Sequence, residues 1–292
     1  MNIITVDQDT ASIAGAVVFW SLSGAVDAKE IAEELTRAGF SEEWHPAPPT
    51  EETALRRAAQ ANCKGSREFV RPLGKRGQFT LVEEHVVSAE GEPTKLELEH
   101  KLYIGVERDG EAEVTTIRGT SEKYSELMQA VKHDKELQLG LLAASDISTW
   151  LLEILRTRIQ AVSLRDRGGF YFVPRDSIDQ WRRLVAVLRT VSDHRMNEIP
   201  ALRTDAAVEA ILTALRNEAN AKFSEMEAYL AGDVSTRGLN AIERELNELT
   251  AKLAKYATLL GVALPDLTTQ AEQALGALQA VRMVAEGQKG AA

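Results

Sequence analysis

The chain has 292 residues, 44% of them hydrophobic and 27% charged, the makeup of a soluble globular protein with room for two or three domains. Its formal net charge of −10 excludes wholesale coating of DNA or of an anionic membrane. The only cysteine, Cys63, excludes an intrachain disulfide and a multi-cysteine zinc site, and agrees with a reducing, cytoplasmic setting.

Residues 1–11 read as a loose polar start. "IAGAVVFW" (13–20) is too short to span a bilayer and reads as a buried strand. "DAKEIAEELTRAGF" follows as a helix, with Asp27 as N-cap, Ile31 and Leu35 on one face and Gly39 just past its end. Thr50 can cap a second helix, "EETALRRAAQAN", whose Leu55 faces inward. From Arg67 to Thr116 the apolar period becomes two, and Gly-Lys-Arg-Gly, Glu-Gly-Glu-Pro and Asp-Gly-Glu punctuate the runs. This pattern predicts an antiparallel meander of three or four strands. Strict alternation puts Leu96, Leu98, His100, Leu102 and Ile104 on one face, and Glu97, Glu99, Lys101 and Tyr103 on the other.

Helical periodicity returns over 120–160, where Trp150, Leu151, Ile154, Leu155 and Ile159 form a stripe. Next come strand 161–165, a turn at Asp166-Arg167-Gly168-Gly169, strand 170–173, a helix over 177–191 and strand 195–201. With strand 112–118 in front, the order is βαββαβ, a ferredoxin-like order. Phe170 and Phe172 would share a face and pack on Trp150, Ile154 and Trp181, leaving Tyr171 and Val173 to cover the other. Beyond Asp205 two long helices are expected, each roughly 35–40 Å at about 1.5 Å per residue. The second carries Leu239, Ile242, Leu246, Leu249, Leu253, Tyr256 and Leu260 at alternating spacings of three and four, a heptad seam. "LTTQAEQALGALQAVRMVAEG" offers a third, weaker helix.

The expected fold is therefore α+β. An N-terminal antiparallel meander with small helices occupies 1–119, a central αββαβ unit 120–203, and a long antiparallel helical hairpin, coiled-coil-like, 204–292.

Few motifs carry chemistry. "PLGKRGQF" is not a Walker loop, because Phe69 stands where the first glycine belongs and Arg76 where Ser or Thr does. The consecutive Ser192-Asp193-His194 is not how a triad is assembled. His85 and His100 fall on neighbouring strands that could bring them together, but Glu84 and Glu99 would then point to the opposite face. No catalytic residue is assigned, and enzyme activity finds no support. "GFYFVPR" (169–175) resembles in part the principal signature of RNA-recognition motifs, whose aromatics stack bases. It departs at Gly168, Tyr171 and Arg175, so a structural role for the aromatics is the simpler expectation.

Charge layout is the functional hint. Residues 64–77 carry five basic residues and one acid, residues 150–203 ten and six, each net +4 within an acidic chain. The basic residues either pair with acidic neighbours or form a local positive patch. The patch reading gives a non-catalytic interaction protein that contacts a phosphate-bearing partner, nucleic acid, through Lys64, Arg67, Arg71, Lys75, Arg76, Arg165 and Arg167. The alternative is a structural or assembly protein that oligomerises or docks a protein partner through the seam of its hairpin. Neither reading calls for a cofactor, a metal or a membrane. As a set, "VVFWSLSG", "ALRRA", "VRPLGKRG", "AVSLRDRGGFYFVP" and "IPALRTDAAVEAIL" resemble a family of uncharacterised bacterial, phage and plasmid proteins. That resemblance implies a bacterial or mobile-element context and transfers no active site.

Overall fold

The computed structural model describes residues 13–75, 77–87, 95–109, 112–165, 168–232 and 234–289. In chain order the strands and helices are β1 (Ile13–Ser21), β2 (Ala25–Asp27), α1 (Ala28–Arg37), α2 (Glu51–Ala61), β3 (Glu68–Pro72), β4 (Gln78–Val87), β5 (Lys95–Asp109) and β6 (Ala112–Gly119). They continue with α3 (Ser125–Leu139), β7 (Leu141–Ala143), α4 (Ala144–Ile154), β8 (Val162–Ser163), β9 (Tyr171–Pro174), α5 (Ile178–Val191) and β10 (Arg195–Leu202). Three long helices close the chain: α6 (Asp205–Leu230), α7 (Thr236–Leu260) and α8 (Pro265–Lys289). The chain divides into two compact units, one of Met1–Ser21, Leu151–Arg189 and Asp193–Ala292, the other of Leu22–Trp150 and Thr190–Ser192.

The first unit holds a four-stranded antiparallel sheet in the order β10-β1-β9-β8. The first strand of the ferredoxin-like order is therefore β1. The expected strand, 112–118, is β6, which pairs with β5 in the other unit. The reason lies in burial. β1 is apolar almost throughout because it is central, between β9 and β10, and is covered on both faces. On one face Trp20 stacks on Tyr171 (5.2 Å between centroids, 12° between planes) and meets Trp181 of α5 at 6.3 Å. On the other, Phe172 is fully buried against Tyr256 of α7, 6.1 Å away. The strand parity is thus the reverse of the one expected: Tyr171, not Phe172, lies on the Trp181 side. Gly15 is required beneath Phe172, since a Cβ there would land 2.5 Å from the Phe172 ring and closer still to the carbonyl of Val173.

The expected helical hairpin is present and a third helix completes it. Thr204 caps α6 by accepting from Ala207 N, and Ser235 caps α7 by accepting from Gly238 N. Gly261, at φ 64°, ends α7, and Pro265 opens α8. Leu239, Leu246, Leu249, Leu253, Tyr256 and Leu260 are buried, and Ile242 packs at the margin of the same core. Their partners include Leu215 and Phe223 of α6 and Leu267 and Ala271 of α8. The heptad seam is filled by this chain's own helices.

The same bundle caps the end of α4. That helix passes into a π-helical turn, Leu155–Ile159, closed by Gln160 in a left-handed conformation (φ 58°). The carbonyls at such an end lack intrahelical donors. Tyr256 Oη donates to Gln160 O at 2.9 Å, and Lys252 Nζ donates to Ala161 O at 2.7 Å. Lys252 also holds both carboxylate oxygens of Glu218 on α6, at 2.7 and 2.8 Å.

The second unit contains the expected meander as a sheet in the order β3-β4-β5-β6. α2 and α3 pack on one face, burying Leu55, Ala58, Phe79, Leu81, Leu102, Ile104 and Val131. Asp27 and Thr50 cap α1 and α2 as the sequence indicates. Strict alternation along β5 fails at one point. Leu81 stands opposite Leu102 but Val82 opposite His100, so Lys101 is an inserted residue, a β-bulge. Beyond it the faces exchange. His100 joins Tyr103 on the face turned away from the helices, while Glu83, His85 and Glu99 gather on the helix side.

Candidate nucleic-acid interface

Lys64 and Arg67 lie in the connection between α2 and β3, and Arg71 lies on β3, an edge strand. The connection is shaped by Glu68, whose carboxylate accepts from Lys64 N (2.6 Å) and Gly65 N (3.0 Å) and pairs with the ammonium of Lys101. Those bonds, the Lys101 contact first, hold the Glu68 carboxyl below its ordinary range. Lys75 sits in the β3–β4 turn, where Leu73 N donates to Gln78 O (2.9 Å). Gly77 closes that turn at φ 77°, and a Cβ would strike Val106 O at 2.6 Å. Arg165 follows β8, its carbonyl accepting from Ser163 Oγ and Gly168 N. Arg76 and Arg167 lie outside the described residues.

Lys64, Arg67, Arg71, Lys75 and Arg165 are all exposed, and none forms an ion pair among the described residues. Other cations do pair: Arg57 with Asp146, Lys101 with Glu68 and Glu83, Lys135 with Glu51, Arg182 with Glu198, Lys222 with Glu245, and Lys255 with Asp176. Lys64, Arg67, Arg71 and Lys75 belong to the second unit and Arg165 to the first.

The residues the sequence raised as metal ligands or base readers are placed differently from expectation. His100 does not approach His85. It is opposite Val82, on the other face, with Nδ1 3.1 Å from Thr80 Oγ1. His85 instead meets Glu99 (3.2 Å), because cross-strand register and the bulge put both on the helix side. Glu83, His85 and Glu99 bring their ligand atoms within 4.8 Å of one another. Their charge is already answered. Lys101 pairs with Glu83 at 2.6 Å, while Lys123 (2.5 Å) and the Tyr124 hydroxyl bind Glu99. Lys123 and then Tyr124 hold the Glu99 carboxyl down at about 2. The Cys63 thiol is pushed up by burial and by Glu68, against a smaller opposing effect of Lys101. Phe172 is unavailable for base stacking because α7 covers it, and only Phe170, 41% exposed beside Phe19 at 5.1 Å, remains open. Sequence reasoning missed Tyr103 and Arg118, which flank each other on the helix-free face of the second sheet. What the bulge hid from simple alternation is that His100 shares their face.

Together these elements define an α+β protein: a ferredoxin-ordered sheet backed by a three-helix bundle, and a second unit with a four-stranded meander and an edge whose exposed cations form no ion pair among the described residues. The chain belongs to DUF6744, a family of unknown function whose model matches residues 13–287. Neither the curated proteins nor the solved structures give a match. Among the described residues no helix is long and apolar enough to cross a membrane.

Proposed function

We propose that the protein is an interaction module that contacts nucleic acid through the cationic edge of its second unit. The observation that carries this reading is that Lys64, Arg67, Arg71 and Lys75 are exposed and without an ion pair among the described residues, where pairing with acidic neighbours was the ordinary expectation. Unpaired cations gathered at one sheet edge and its flanking turns give a local positive potential on a molecule of net charge −10. Assembly through the heptad seam draws less support, since that seam is filled from within the chain.

The test is binding of labelled DNA and RNA by fluorescence anisotropy across about 50–200 mM salt. Affinity is expected to fall steeply with salt. Replacing Lys64, Arg67 and Lys75 together by alanine should lower the log–log salt slope by about 2, at about 0.7 per single-strand phosphate contact. A flat signal at the lowest salt for every nucleic acid tried refutes the reading.

A further inference from the structure

Resting on that reading, we propose that the face of the β3-β4-β5-β6 sheet turned away from α2 and α3 is a platform for single-stranded nucleic acid, on which Tyr103 stacks a base and Arg71 and Arg118 take the flanking phosphates. The register assembles this row. Arg71 is opposite Thr80, Thr80 opposite Tyr103, and Tyr103 opposite Arg118. Cross-strand partners share a face. The face is fixed by their neighbours: Phe79, Leu81, Leu102 and Ile104 are buried under the helices, and Val70 and Ile117 pack against that core. The alternate residues therefore project the other way.

Tyr103 is 42% exposed although its ring is held in place. His100 stacks against it, 5.3 Å between centroids and 14° between planes, and is itself within 3.1 Å of Thr80 Oγ1. Thr80 donates in turn to Leu102 O at 2.7 Å. An exposed aromatic ring fixed by a second ring loses little freedom on stacking a third. Arg71 and Arg118 are both exposed and form no ion pair among the described residues. They stand on the two edge strands, three inter-strand spacings apart, about 14 Å between backbones. No acidic side chain lies in the row between them; Glu84, on the same face, is two residues beyond Val82. Arg71 continues into the Lys64, Arg67 and Lys75 group at one edge. At the other, Arg118 borders a cleft of about 410 Å³ that Lys132 also lines.

Charge and an aromatic face together select the occupant. A duplex presents phosphates but keeps its bases stacked on one another, whereas a single strand offers both a backbone and a free π-face. Stacking of this kind tolerates any base, so the platform reads the single-stranded state rather than sequence.

The experiment compares single-stranded oligonucleotides of about 15 residues, oligo(dT) and oligo(rU), with a duplex of the same length, using the full chain and anisotropy. Single strands are expected to bind more tightly than the duplex. Tyr103→Ala should weaken single-strand binding by about 5- to 150-fold, and Tyr103→Phe should retain it. Arg71→Ala and Arg118→Ala should each lower the salt slope by about 0.7. Circular dichroism melts confirm folding, which the exposure of all three side chains favours. Duplex binding as tight as single-strand binding overturns the platform. So does Tyr103→Ala binding like wild type while the Lys64/Arg67/Lys75 variant loses affinity, an outcome that leaves the cationic edge standing. Absence of any binding by the wild-type chain removes the functional reading itself.

Discussion

Lys252 gives a sharp test of how the bundle is tied to the sheet it covers. Its ammonium is buried, donates to Ala161 O at the end of the π-helical turn, and holds both oxygens of Glu218. Burial pushes its pKa below the usual lysine range, and Glu218 opposes that shift. Glu218→Gln keeps the shape and removes the countercharge, leaving a buried cation with neutral partners. Breaking a buried pair from one side costs about 3–5 kcal/mol. The lower end applies here, because the Ala161 carbonyl and the new amide oxygen still accept and the Glu218 side chain is 32% exposed. For a unit of this size about 3 kcal/mol lowers Tm by about 6–12 °C. Lys252→Met removes the buried charge itself. It leaves one carbonyl without its donor, worth about 1–3 kcal/mol, and is relieved of the cost of dehydrating the ammonium. Glu218→Gln should therefore cost more than Lys252→Met, and the double variant should match Lys252→Met alone. Urea and thermal melts of the four proteins measure this. If Lys252→Met is the worse single variant, or if the two losses add, the ammonium is not held as a buried pair and the reasoning fails.

Gly15→Ala should destabilise the first unit by about 1–3 kcal/mol, because its Cβ would be driven into the Val173 carbonyl and the Phe172 ring; a denaturant midpoint equal to wild type would contradict the close approach. Lys123→Ala should raise the Glu99 carboxyl from about 2 toward its ordinary 4.5, as read by NMR titration. Glu99 is depressed in the folded chain, so its contribution to stability is full above about pH 4.5 and is lost as pH falls toward 2; the variant should lose it earlier. Burial pushes the His194 imidazole below its ordinary 6.5, with Asp193 opposing. The unfolded chain then takes up the proton first, so stability should decline as pH drops below about 6.5, and His194→Gln should flatten that decline.

The sequence revealed periodic elements better than it revealed their partners. The caps Asp27 and Thr50, the meander and the long helices follow from local signals, and all are present. The pairing of β1 between β9 and β10 does not. These strands are separated by the 22–150 segment, and adjacency along the chain favours β6 over β1 as the first strand of the ferredoxin-like order. Burial on both faces was the usable clue: "IAGAVVFW" has the unbroken apolarity of a central strand, whereas "AEVTTIR" alternates like one with an open face. The parity of Phe170 and Phe172 went the same way, because helices α6 and α7 cover the face that alternation alone would leave blank.

The candidate site turns on one inserted residue. Without the bulge at Lys101, His100 would sit with Leu102 toward the helices and Tyr103 would stand alone with glutamates. With it, Lys101 turns inward to satisfy Glu68 and Glu83, and His100 comes round to brace Tyr103. The same insertion therefore removes a cation and two carboxylates from the helix-free face, where Thr80 and Val82 are themselves buried, and adds a ring to it. Inserting one alanine between Leu81 and Val82, which gives Lys101 a partner, tests this in one step. The bulge should be lost and the faces should exchange back, turning Lys101 and Glu99 outward to join Tyr103, and His100 inward. Hydrogen-exchange protection along β4 and β5 reads the register, and single-strand affinity reads the platform. If exchange shows the reset and affinity is unchanged, the nucleic acid is not meeting Tyr103. If both change together, the bulge is what makes an acidic chain present a neutral aromatic between two arginines.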